Sequence, residues 1–247
     1  MKDNELKARQ DLAAAYRLAD RFGFSEGIDN HLTLALPEEN DKYLLIPYGM
    51  HWSEVTASSL LVVDGDGNKI SGDGYAEPTA FLIHGAVHKA SKKNKCVMHT
   101  HMESALAITM QNKGRLLMAD QNACRFYNNI NYLDEYEGLV LDKHTASSIG
   151  NAMIEVDILF LANHLIIVTG NNIYDAWESL YYLERACRAQ IVSMSMGNNL
   201  KIINSQIAKK VSDQIREEAK TESANSYRHF EALKRVLINN GGENYLE

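Results

Sequence analysis

The chain has 247 residues, 45% of them hydrophobic and 23% charged, and a net charge of −7. That length supports one large buried core, and the acidic balance argues against a nucleic-acid groove, which needs a basic stripe. No apolar run approaches the ~18 residues of a membrane span, and the first residues lack the apolar stretch of a signal peptide. Three widely spaced cysteines, Cys96, Cys124 and Cys187, do not read as a disulfide framework. A cytoplasmic protein is expected.

Leu6, Leu12, Tyr16 and Ala19 recur at helical spacing and predict a helix over 4–22, ending at Gly23. Leu32, Leu34 and Leu36 alternate as in a strand, stopped by Pro37. Two more strands are expected over 43–47 and 60–64, the second followed by a hairpin turn at 64–68. A helical pattern covers 78–89, then a short buried strand carries Val97, Met98, His99, Thr100 and His101, with a short helix over 103–110. Residues 118–138, rich in Asn and Tyr, read as short strands with long turns. Thr145 is expected to cap a helix over 145–153. Runs 158–162 and 165–169 read as paired strands joined by a tight turn at Asn163 and His164, and Gly170-Asn171-Asn172 ends the second strand and could cap a long helix from Ile173 to about Met196. Charged helices fill 206–220 and 226–238. Residues 1–200 are thus expected to form the main domain, and 201–247 a helical tail covering it or a neighbouring subunit.

His99 and His101 carry the chemistry. Side chains at i and i+2 of a strand share a face, so two imidazoles stand side by side in a geometry that a transition metal can bridge. His164, in the later turn, would complete a three-nitrogen set. The same spacing also suits buried histidines held by hydrogen bonds, and spacing alone weighs the two equally. Such a metal leaves open positions for substrate and stabilises negative charge on a carbonyl oxygen. That chemistry suits retro-aldol cleavage, decarboxylation or epimerisation; with iron, oxygen could bind instead. No nucleophile elbow, Walker loop or dinucleotide fingerprint is present. His84 and His88, one turn apart, are read as helix-face residues, since no acidic ligand accompanies them.

Several ordered blocks resemble the class II aldolase/adducin family over about residues 6–200. They are Asp29-Asn30-His31-Leu32-Thr33-Leu34, Leu45-Ile46-Pro47-Tyr48-Gly49-Met50, Leu61-Val62-Val63-Asp64-Gly65, Met98-His99-Thr100-His101 and Asn163-His164. The resemblance implies a three-layer α/β/α sandwich around a largely antiparallel sheet, assembled as a homotetramer. It also implies a divalent metal on His99, His101 and His164, with zinc the first choice and manganese or iron the alternatives.

This chain departs from the family pattern where the aldolases carry their catalytic glutamate, and Ala80 stands there. Pro78 and Thr79 occupy the positions of two phosphate-holding serines, and Tyr48 replaces a small hydroxyl residue beside the retained Gly49. His31 stands where the aldolases have an asparagine that contacts the substrate oxygen. It is read as an acid or donor facing the substrate, against the alternative of bonding to its own loop. Tyr136 is the second candidate for proton transfer; Tyr127 and Glu137 are read as structural. Asn30, Tyr48, Gly49 and Thr79 are the expected substrate contacts. These features predict a metal-dependent carbon–carbon lyase acting on a small unphosphorylated keto or hydroxy acid. The alternatives are an iron oxygenase or dehydratase on the same histidines, or a non-catalytic adducin-like assembly protein.

Overall fold

In the computed structural model, which describes residues 3–37, 39, 41–197, 199–221 and 224–247, the chain opens with α1 (Asp3–Arg21). Ala13, Ala14, Ala15 and Ala19 are fully buried along it; alanine favours the helix and leaves room for close approach. Four strands follow, β1 (His31–Ala35), β2 (Lys42–Leu45), β3 (Leu61–Asp64) and β4 (Lys69–Ser71). Next come α2 (Pro78–Ala90), β5 (Cys96–Thr100), α3 (Glu103–Thr109), α4 (Gln121–Cys124) and β6 (Ile130–Leu133). The chain continues through α5 (Lys143–Ala152), β7 (Ile158–Leu161), β8 (Leu165–Gly170), α6 (Ile173–Ser195), α7 (Ser205–Glu218) and α8 (Asn225–Asn239).

The strands form one sheet in the order β4-β3-β2-β1-β5-β8-β7-β6. Neighbours pair antiparallel except β6 and β7, which run parallel. Alternation sorts the side chains onto two faces. Cys96 and Met98 of β5 join the apolar cluster beneath α1 and α6. Val97, one residue out of phase, packs instead with Ile83 and Val87 of α2 and Ile149 of α5. The fold is therefore a three-layer α/β/α sandwich with a largely antiparallel sheet. No helix among the described residues is long and apolar enough to cross a membrane.

Two local expectations need correction. Residues 118–138 hold a helical turn, α4, and one strand, because the Asp120 carboxylate accepts the Ala123 N–H at 2.8 Å and nucleates the turn. Asp142, rather than Thr145, caps α5: its carboxylate accepts from the N–H groups of His144 and Thr145, so the helix starts earlier. The C-terminal helices lie against the same chain. Phe230 of α8 is fully buried, with its ring 5.9 Å from that of Trp177 on α6, and Ser212 of α7 donates to the Arg125 carbonyl.

Candidate metal centre

The register of β1 against β5 sets His31 opposite His99, on the sheet face that α2 covers. His101 follows two residues after His99 and keeps that face. The β7–β8 turn, tightened by Asn163 in the left-handed region (φ 57°), brings in His164. Ring centroids lie 5.5 Å apart for His99 and His101, 5.9 Å for His99 and His164, and 5.3 Å for His101 and His164. One ring nitrogen from each lies within 4.8 Å of the other two.

The donor chemistry of this trio fits a divalent transition metal. His101 Nδ1 meets the Glu26 carboxylate; a carboxylate only accepts, so Nδ1 carries a proton and Nε2 is the nitrogen left to face a metal. That Nε2 is buried without a protein partner, as are both nitrogens of His99. Burial, with His101 alongside, pushes the His164 pKa down to about 4, so its imidazole is neutral near pH 7. Three imidazoles converging on one point are a typical set for zinc and its neighbours in the first transition row.

The trio lines a cavity of about 550 Å³ that His31, Ala80, Tyr48 and Tyr136 also line. Burial holds His31 neutral, its pKa lowered to about 4 although Glu77 and Asp29 pull it up. The Tyr136 ring lies 6.1 Å from that of His164. Glu77 lines the cavity and accepts the Ala80 N–H at 2.5 Å, capping α2. Asn30 is 1% exposed and is not among the lining residues. Gly49 holds a turn at φ 90° beside Tyr48 without lining the cavity, and the Thr79 side chain is outside the described residues. Trp52 packs edge-on against Tyr16, and His51 caps a short 3-10 turn.

Two features escaped the sequence reading. Glu26 has no spacing signal, since it lies 75 residues from His101. His84 and His88 belong to the interior rather than to an open helix face: α2 lies directly on β1, and Thr33 Oγ1 bonds His84 Nδ1 at 2.7 Å and His88 Nε2 at 2.8 Å. Their i, i+4 spacing was the available signal.

Residues 10–191 match the family model for the class II aldolase and adducin N-terminal domain. The chain belongs to this family. It is 33% identical over 219 residues to a Caulobacter vibrioides protein whose name places it with the class 2 aldolases, covering 88% of this chain and 83% of that one. An adducin-related protein of Schizosaccharomyces pombe is 32% identical over 246 residues, covering 95% of this chain and 75% of that one. An aldolase II superfamily protein from Pseudomonas syringae, known from its crystal structure, superposes with a TM-score of 0.92 at 29% identity, covering 100% of this chain and 98% of that one.

Proposed function

We propose that this family member is a cytoplasmic, divalent-metal-dependent lyase that cleaves a carbon–carbon bond beside the carbonyl of a small unphosphorylated keto or hydroxy acid. The carrying observation is the convergence of His99, His101 and His164 on one cavity, with ring nitrogens left to face a metal. Zinc is the first choice for this nitrogen set, with manganese and iron the alternatives. When bound, the metal supplies the electron sink for charge that develops on the carbonyl oxygen.

The remaining steps fall to the protein's own side chains. His31, neutral and opposite His99, donates a hydrogen bond to that oxygen and moves its proton as charge develops. The Tyr136 hydroxyl protonates the carbon left after cleavage. Retro-aldol cleavage needs a base to take a hydroxyl proton; the Ala80 methyl group offers none, and the nearby Glu77 carboxylate is engaged in capping α2. Loss of carbon dioxide breaks a carbon–carbon bond without such a base, so decarboxylation is the favoured reaction. Asp29 and Glu77 line the cavity, and neither Lys nor Arg does among the described residues; a phosphate dianion would find no counter-charge from protein cations. Leu139 and Leu141, 72% and 66% exposed at the cavity wall, are suited to cover by a neighbouring subunit of a homotetramer.

The likeness to the adducin-related protein across 95% of this chain supports a second reading, a non-catalytic assembly module. Metal content and turnover separate the two. Purified protein should hold stoichiometric metal, and His101→Ala and His164→Ala should each lose the ion at this centre. The loaded protein should turn over members of a keto- and hydroxy-acid panel in preference to fuculose or ribulose phosphates. Metal retained at this centre in both variants overturns the site, and faster turnover of the sugar phosphates overturns the substrate class.

A further inference from the structure

We propose that His31, His84 and His99 form a second divalent-cation site, buried behind the first and sharing His99 with it. One ring nitrogen from each lies within 4.8 Å of the other two. The three centroids make a nearly equilateral triangle, with separations of 6.0, 6.0 and 6.1 Å. Exposure is 9% for His31, 0% for His84 and 5% for His99. His31 Nδ1, His84 Nε2 and both nitrogens of His99 are buried without a hydrogen-bond partner. Buried polar atoms in native proteins are nearly always paired, and orphans gathered at one point indicate a missing ligand.

The hydrogen bonds behind His84 fix which of its nitrogens is free. The Asn94 carbonyl can only accept, so His88 Nδ1 donates to it, and the bond is 2.5 Å long. Burial keeps His88 neutral, which leaves its Nε2 as an acceptor. The single proton of the Thr33 hydroxyl therefore goes to His88 Nε2 at 2.8 Å, and Thr33 Oγ1 accepts from His84 Nδ1 at 2.7 Å. With its proton on Nδ1, His84 presents a bare lone pair at Nε2. Metal-bound histidines are oriented in this way, by an acceptor holding the opposite ring N–H.

Neutral nitrogen donors without a carboxylate select zinc, cobalt, nickel or copper over calcium or magnesium. Both His99 nitrogens are without a partner, so the ring has one to offer each site; with both ions bound it would serve as imidazolate, its ring proton released to solvent. An ion on His31 Nδ1 would leave the His31 proton on Nε2 and lock the ring that lines the cavity. The second site needs only its three histidines and the Thr33–His88–Asn94 chain behind His84, and is independent of which reaction the cavity performs.

Chelator-stripped protein titrated with Co²⁺, followed by visible absorption and by elemental analysis, tests the site. Wild type should bind two ions per chain. His84→Gln should bind one, with the fold checked by circular dichroism. Thr33→Val, which keeps all three ligands but breaks the relay, should bind the second ion about 10- to 100-fold more weakly. His164→Ala should keep one ion, the buried one. Saturation of wild type at one ion, or two ions bound equally tightly by wild type and His84→Gln, overturns the second site. Retention of both ions by His164→Ala would instead count against the outer centre of the proposed enzyme, so the two failures are distinguishable.

Discussion

Replacing His88 by glutamine should change how stability responds to acid. His88 is 6% exposed, and its ring is held between the Asn94 carbonyl and the Thr33 hydroxyl, with Tyr43 packed 4.3 Å away. Burial lowers its pKa to about 4, with the Asn94 carbonyl pulling the other way and Lys95 adding to the depression. In the unfolded chain the same group titrates near its ordinary value of about 6.5. Between those values the unfolded state binds the proton and the folded state does not, so stability falls as pH falls. From pH 7 to pH 5 this one residue should cost about 2 kcal/mol, rising to about 3.4 kcal/mol below pH 4. Urea unfolding in excess chelator, at pH 7 and pH 5, measures it. His88→Gln should be less stable than wild type at pH 7, yet lose about 2 kcal/mol less on moving to pH 5. Equal losses in the two proteins would show that His88 is already charged in the fold, and the proton assignment of the whole relay would fail with it.

Glu26→Ala should weaken metal binding by about 10-fold, the low end for a carboxylate behind a metal-binding histidine, because the Glu26 side chain is 61% exposed and screened; unchanged affinity in a chelator competition would remove Glu26 from the site. His31→Ala should lower kcat by roughly 10²–10⁴ while the ion on His101 and His164 remains, with part of the rate restored in His31→Asn; near-full activity would make His31 structural. Gly150→Ala places a Cβ 2.7 Å from the Ala86 carbonyl oxygen, so α5 must lift from α2 at a cost of roughly 1–3 kcal/mol, read as a lowered Tm; an unchanged melt would show that the two helices are not held at this distance.

Local pattern carried much of the fold. The Leu32/Leu34 alternation, the buried run ending in His99 and His101, and Asn172 ahead of the long helix each correspond to an observed element, because period and cap chemistry are properties of a few adjacent residues. What failed to show was non-local. His31 faces His99 only because β1 lies beside β5, and strand order is not written in either strand. The His84 and His88 pair was visible as a stripe, but a stripe does not say what covers it; Thr33, 51 and 55 residues away, decides that. Within 118–138, the Asp120 cap outweighed a composition that reads as turns and strands.

The substitutions at the start of α2 bear on substrate charge more directly than the histidines do. A helix N-terminus facing a cavity is a ready anion site, since its first N–H groups are unspent. Here two of those positions offer nothing to a ligand. Pro78 has no N–H, and that of Ala80 goes to Glu77. The carboxylates of Glu77 and Asp29 both line the cavity and add negative charge to it. Under the proposed function, an anionic substrate would be held by a metal on His99, His101 and His164, which line the same cavity. A carboxylate next to a carbonyl can chelate such a metal through two oxygens, whereas a phosphate would add charge to a cavity already lined by Glu77 and Asp29. By the resemblance to the aldolases Ala80 stands at their catalytic glutamate, and together with the Glu77 cap at the start of α2 this supports the proposed substrate, a compact acid activated at its own carbonyl.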